Sequence, residues 1–213
     1  MYLPSHFTET DIAALHALMR AHDFALIIAA RDGVLEAAHL PFLLDPERGP
    51  QGTLVAHMAR ANTLWRAFDG SVEVLVVFQG PHAYVSPRWY EDGGAGAVPT
   101  WNYAAVHAHG TPHLIEGEAR TREILTRLAA MYEAENPSPW TLETAPETVA
   151  KMLPGIVAFE IPIARLEGKW KLSQNRSAAD RAGVASALSG SSDAGARGVA
   201  ALMAGREGRK VRA

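Results

Sequence analysis

The stretch VPTWNYAAVHAHG, Val98–Gly110, decides how this chain is read. As a strand it sends Trp101, Tyr103, Ala105, His107 and His109 to one face and Thr100, Asn102, Ala104, Val106 and Ala108 to the other. One face is broad and aromatic; the other is small, with hydrogen-bonding groups at its start. That pair of surfaces suits a flat, partly polar ligand, because rings bury area against aromatic walls while a few polar groups fix orientation. The plainer reading, an ordinary strand of a β core, fits the same alternation.

Working outward, the periodicity predicts a helix over Thr10–Arg20, where Ile12, Leu15, Leu18 and Met19 recur at helical spacing. Phe24–Ala30 and Val34–Leu44 read as a hairpin around Asp32-Gly33. Thr53–His57 is a short strand, followed by a predicted helix over Ala59–Phe68. Val72–Val85 is strongly apolar, but Gly80-Pro81 is expected to bend or interrupt it, since proline lacks the ladder donor. Glu91–Ala97 is a glycine-rich loop with nothing evident to hold it rigid. Downstream, Glu118–Glu135 carries an amphipathic pattern, Pro146–Leu153 a short helix, and Gly155–Leu172 extended structure. Ala178–Leu188 and Asp193–Met203 complete the chain as small alanine-rich helices. Short strands, hairpin turns and intervening helices together make an α+β domain around a mainly antiparallel sheet or barrel.

Composition excludes several function classes. The chain has 213 residues, enough to bury a substantial core. It has no cysteine, which removes disulfides, thiolate nucleophiles and cysteine-ligated metal centres. No apolar run reaches membrane-spanning length and MYLPSHFTETD lacks a leader pattern, so a soluble, cytoplasmic protein with no membrane partner is expected. A formal net charge of −3 gives no electrostatic footprint for nucleic acid. The basic cluster Arg206, Arg209, Lys210 and Arg212 reads as a solvated tail.

Three further clusters could carry chemistry. In LEGKWKLSQNR, Leu166–Arg176, the residues Lys169, Lys171 and Ser173 share a strand face, and two ammonium groups beside a hydroxyl could hold a phosphate. An edge strand kept soluble by lysine has the same pattern. His57, Arg60 and Asn62 sit at a strand-to-helix junction, where free N–H groups and a guanidinium could meet an anion. Alternatively Asn62 caps the helix and Arg60 faces water. His107, His109 and His113 have ligand type and spacing for a metal, but nearby carboxylate support stops at Glu116, and no metal site is predicted. The chain has no GxSxG elbow, phosphate loop, HExxH, GxGxxG, helix-turn-helix or zinc finger, so no catalytic residue is assigned.

Five co-ordered motifs carry a resemblance: MYLPSHF at the start, HMARANTLWRAFDG from His57, VFQGPHAYVSPRWY from Val77, VPTWNYAAVHAHG from Val98 and LEGKWKLSQNR from Leu166. Together, and with Asp180–Val184 following, they resemble the PaiB family, FMN-binding proteins labelled negative transcriptional regulators. The resemblance implies an FMN-binding split β-barrel, similar to pyridoxamine-phosphate oxidases, with peripheral helices. It implies residues 1–176 as that domain, 177–204 as a helical extension packed on it, and 205–213 as a disordered basic tail. It implies a homodimer with flavin sites near the interface. By that analogy His57, Arg60 and Asn62 hold the ribityl phosphate, Thr100, Trp101 and Asn102 lie near the flavin ring, and Lys169 and Lys171 reach the same cofactor. A regulator of this kind would act without a recognisable DNA-binding element, and the negative charge opposes direct operator binding. The alternatives are a flavin-dependent oxidoreductase acting on a small molecule and, further off, a barrel for haem or another flat ligand.

Overall fold

The computed structural model describes the backbone of residues 1–210 and the side chains through Arg206; the expectation of a disordered tail beyond that point lies outside the described residues. After β1 (Thr8–Glu9), α1 (Ile12–Ala21) forms where Asp11 caps it, its Oδ1 accepting from the Ala13 N–H at 3.0 Å, and it buries Leu15, Leu18 and Met19. Strands β2 (Phe24–Arg31) and β3 (Val34–Pro41) form the expected hairpin. Asp32 and Gly33 both take positive φ, 53° and 78°, the backbone a two-residue hairpin turn requires.

The returning strand does not run on to Leu44 as the hydrophobicity suggested. It breaks at Phe42, whose N–H bonds the Asp23 carbonyl at 2.9 Å, and β4 (Leu43–Asp45) pairs instead with β5 (Thr53–Ala59). The ring of Phe42 anchors that switch, buried against Phe78 and Phe159. The helix expected over Ala59–Phe68 is likewise absent: only Thr63–Ala67 coils, as a 3-10 helix of five residues. By contrast β6 (Val74–Val85) is continuous through Gly80-Pro81. Pairing with β2 ends at Val77, four residues before Pro81. Gly80 is needed there, because a methyl would come within 2.9 Å of Leu18 and 3.0 Å of the Ala104 carbonyl.

The remaining elements are β7 (Thr100–Gly110), β8 (His113–Ile115), α2 (Glu118–Tyr132), α3 (Pro146–Met152), β9 (Ile156–Pro162), β10 (Arg165–Lys171), α4 (Ala178–Ser189) and α5 (Ala194–Lys210). The extended run predicted from Gly155 to Leu172 is thus two strands, interrupted after Pro162. Among the described residues no helix is long and apolar enough to cross a membrane.

The chain divides into two compact units, and the division passes through α1, β6, β7 and β10. The second unit, residues 19–78 and 107–166, holds the order β6-β2-β3 and the antiparallel sheet β4-β5-β9-β8. Its core is aromatic, with Phe68 and Phe159 at 5.0 Å between centroids. Helix α2 covers the other face of the second sheet, laying Ile124 and Leu128 on Leu43, Val55 and Ala158. Burial pushes the Asp45 carboxyl up, but hydrogen bonds and charge from Arg127 on α2 and from Arg48 outweigh it and hold the group below its ordinary value.

The first unit, residues 1–18, 79–106 and 167–213, holds the order β1-β10-β7-β6 with α4 and α5 packed on each other. Its helices approach closely through glycine. Gly183 on α4 lies against the Trp89 carbonyl and Gly198 on α5 against the Pro81 ring. Arg206 pairs with Glu9 at 3.2 Å, so α5 is pinned to β1 at the edge of the unit.

Gly183→Ala is expected to lower stability by about 1–3 kcal/mol, the usual cost of overpacking, since its methyl would overlap a backbone carbonyl that cannot yield. Gly205→Ala, with open space around it on the same pair of helices, should leave stability unchanged or raise it by up to about 1 kcal/mol. Urea unfolding of the two variants separates crowding from helix propensity.

Candidate functional site

Two groups of predicted residues fall in different units, and they differ in how far their polar atoms are already used. In the second unit His57 is half-buried on β5, level with Ala158 on β9, so its side chain lies on the sheet face that α2 covers. Its Nδ1 is buried without a hydrogen-bond partner, and burial pushes the imidazole below its ordinary pKa, which keeps it neutral at pH 7. Arg60 follows the strand and donates from Nε to the Pro154 carbonyl at 2.8 Å and from Nη2 to the Ile156 carbonyl at 2.9 Å, with its guanidinium 5.9 Å from the Trp65 ring. Asn62 accepts from the Leu64 N–H at 3.1 Å, capping the 3-10 helix.

This junction therefore lacks the free helix N-terminus on which the anion argument rested. The capping reading of Asn62 is realised, and Arg60 ties the end of β5 to the start of β9 rather than facing water unengaged. Arg60 and Trp65 also line a cleft of about 410 Å³ with Leu114, Thr121 and Pro154.

In the first unit the residues converge. Thr100 and Asn102 open β7 on one face, and the end of β10 brings Lys171 to them. The Lys171 ammonium donates to Thr100 Oγ1 at 2.7 Å and to the Trp101 carbonyl. Asn102, with no exposed surface, donates from Nδ2 to Ser173 Oγ at 2.9 Å and accepts back at Oδ1. Thr100, Asn102, Lys171 and Ser173 line a pocket of about 190 Å³ closed by Phe7, Tyr90 and Arg176. Lys169 stands beside this group rather than in its wall. It is 7% exposed, donates to the Tyr2 carbonyl at 2.8 Å and lies over the rings of Tyr2 and Tyr103.

Three basic groups gather at this pocket, and Arg176 also borders an adjoining opening lined by Glu91, Asp92 and Asp180. Burial, then the charges of Lys169 and Arg176, push the Lys171 pKa below its ordinary value. Among the described residues no carboxylate pairs with Lys169, Lys171 or Arg176, and the Arg176 guanidinium is stacked 4.7 Å from the Tyr90 ring. Tyr90 is 5% exposed and its hydroxyl is buried without a partner. Outside the pocket Trp101 is half-exposed, and its ring lies 6.2 Å from those of His82 and Tyr84 on β6, neither of which belonged to the face read from the sequence.

Phe7 and Tyr90 carried no signal in the sequence as site residues. Both sit in loops or short 3-10 turns, where neither strand nor helix periodicity applies, and only their places beside quoted motifs marked them. The glycine-rich loop after Tyr90 is held more firmly than expected: Asp180 accepts from the Glu91 N–H at 3.1 Å, and Gly94 fits directly against Pro87. The histidines divide. His107 and His109 have ring centroids 6.5 Å apart, His109 Nδ1 lies 3.3 Å from the Glu73 carboxylate, and His113 is exposed on β8.

Comparison with known proteins bears on the family and the fold of the chain. A family model described as "Putative FMN-binding domain" matches residues 1–165, ending just before the Leu166–Arg176 segment. Protease synthase and sporulation protein PAI 2 of Bacillus subtilis is 34% identical over 205 residues, covering 95% of this chain and 96% of that protein. Among solved structures, the FAD and heme binding protein from Mycobacterium smegmatis aligns with a TM-score of 0.59 at 18% identity, covering 82% of this chain and 78% of that one. The flavocytochrome Anf3 from Azotobacter vinelandii aligns at 0.57 and 17%, covering 79% and 72%. These two likenesses are of fold, and the fold is the α+β split barrel expected from the sequence.

Asn102→Ala is expected to cost about 1–3 kcal/mol, because it leaves the buried Ser173 hydroxyl without its partner. Asn62→Ala should cost about 1 kcal/mol, the usual worth of a cap. Chemical denaturation monitored by tryptophan fluorescence measures both.

Proposed function

Because this chain belongs to the PaiB family of FMN-binding-domain proteins, we propose that it binds FMN and that the Lys171 pocket receives the phosphate. One observation carries the reading: Lys171 and Arg176 line one small pocket with Lys169 beside it, and among the described residues none of the three makes an ion pair with a carboxylate. A phosphate dianion is the complement such a site lacks. Charge-assisted hydrogen bonds from Lys171 and Arg176 would hold it, with the Thr100 hydroxyl supplying a neutral donor. The half-exposed rings of Trp101 and Tyr84 offer a flat wall nearby for the ring system.

Bound FMN would supply reversible electron or hydride transfer from its ring. The chain's own residues contribute position and charge. Lys171 holds an ammonium between Thr100 and the Trp101 backbone, and Asn102 fixes the strand that carries both. His57, Arg60 and Asn62 serve the fold of the second unit in this reading, and the phosphate assignment made for them passes to Lys171 and Arg176. The protein is read as a cytoplasmic homodimer whose role, regulatory or redox, runs through the flavin. The gathering of its basic residues into a small pocket favours a phosphate ligand over an operator, which would need a basic stripe.

Flavin fluorescence titration tests the assignment. Lys171→Met should weaken FMN binding by about 10–100-fold, the worth of a hydrogen bond to a charged group. Arg60→Ala should stay within about threefold of wild type, as for a residue outside the binding contacts. The ammonium is the binding form, so affinity is full below the Lys171 pKa and falls as pH rises through it, in a window below the ordinary lysine range. Lys171→Arg should abolish that fall, because arginine stays charged. Equal affinity in wild type and Lys171→Met, or a large loss in Arg60→Ala, would return the phosphate to the His57–Asn62 junction. Sedimentation velocity decides the dimer.

A further inference from the structure

The sequence contains four lysines, Lys151, Lys169, Lys171 and Lys210. Lys169 is buried with its ammonium given to the Tyr2 carbonyl, and Lys151 is exposed on α3. Lys171 differs from both. It is half-buried in the wall of an anion-sized pocket, and both partners of its nitrogen, Thr100 Oγ1 and the Trp101 carbonyl, serve as acceptors. As an ammonium it has a third N–H for an anion. As a neutral amine its two N–H groups still satisfy the same two acceptors, and the lone pair takes the third direction. Burial and two neighbouring cations favour that neutral form, and no carboxylate opposes it.

We propose that Lys171 is an acylation site whose donor is an acyl phosphate. The inference rests on the reading of this pocket as a phosphate site, and it adds a covalent regulation of that site. Arg176 and Lys169 attract the donor's phosphate, which brings its carbonyl carbon beside the amine. The nitrogen lone pair attacks that carbon and the new C–N bond forms. The C–O bond to phosphorus breaks on the acyl side, inorganic phosphate leaves with the electron pair, and the amine proton passes to water. No electron is gained or lost. The product is an uncharged amide, so the modification removes one positive charge and one strong donor from the place where a phosphate would bind. Occupancy by FMN then becomes sensitive to the supply of acyl phosphates, and bound FMN protects its own lysine.

The test uses the full-length protein and acetyl phosphate at neutral pH, with site occupancy followed by peptide mass spectrometry. Lys171 is expected to acetylate about tenfold faster than the exposed Lys151, the modest end of what proximity supplies. Added inorganic phosphate or FMN should slow Lys171 and leave Lys151 alone, and Arg176→Ala should erase the difference between the two lysines. Equal rates at Lys171 and Lys151 would overturn the inference. So would an advantage of the same size with acetic anhydride, which carries no phosphate to be delivered. FMN titration of the same sample keeps the two readings apart. If FMN binds competitively with phosphate while Lys171 gains no rate, the acylation inference fails alone. If Lys171 is fast and phosphate-protected while FMN neither binds nor protects, the FMN reading fails and the acylation site stands.

Discussion

Asn102 has no exposed surface, so its amide must find partners inside the protein, and it finds them in Ser173 seventy-one residues away. That exchange of hydrogen bonds holds Ser173 at φ 62°, a left-handed backbone that an L-residue adopts at a cost of about 1–3 kcal/mol. The cost is offset locally by a knot of short bonds. Gln174 accepts from the Leu172 N–H at 2.6 Å and donates to the Trp170 carbonyl at 2.5 Å, and the Arg176 N–H bonds Ser173 at 3.0 Å. The result is a reversal of the chain just past β10 that leaves Lys171 beside Thr100 and turns Arg176 back over Tyr90. Remove the amide–hydroxyl pair and each later position loses its reference.

The electrostatics of the first unit follow from this turn. A chain with a formal net charge of −3 nevertheless gathers three cations in one place and gives none of them a carboxylate. Like charges held together and partly dehydrated are unfavourable, and the site relieves that only with neutral acceptors and π faces, which leaves a demand for an anion. Arg60 shows the opposite solution. Two backbone carbonyls and an indole ring use its guanidinium to tie β5 to β9, so a residue type favoured for phosphate recognition is engaged by the fold.

How much of this the sequence made legible depends on whether a residue obeys a period. The hairpin at Asp32-Gly33, the helix over Glu118–Tyr132 and the alternation along β7 were readable because turn chemistry and two simple repeats govern them. The break at Phe42 was not, because a strand that changes sheets keeps its hydrophobicity and betrays itself only through tertiary contacts. Thr63–Ala67 defeated the helical pattern for a related reason: Leu64 and Trp65 are apolar, but the Asn62 cap and the Arg60 tie leave room for a single tight turn. Lys171, Thr100 and Asn102 were found as separate clusters by residue type. Their meeting, and the part of Tyr90, needed the turn at Ser173, which no local pattern announces.

The pocket's parts come from near Phe7, from Tyr90–Asn102 and from Lys171–Arg176, and they are assembled only by contacts long in sequence. During synthesis the chain is made from its first residue onward, so the cations of β10 and its turn emerge last among them. A ribosome-bound chain lacking those residues can form local elements of the second unit, yet it lacks the three cations gathered at the pocket. If this pocket receives the phosphate, as proposed, capture is thereby tied to synthesis of Lys171–Arg176, and a chain ending before them would carry most of the hydrophobic core without the pocket's cations.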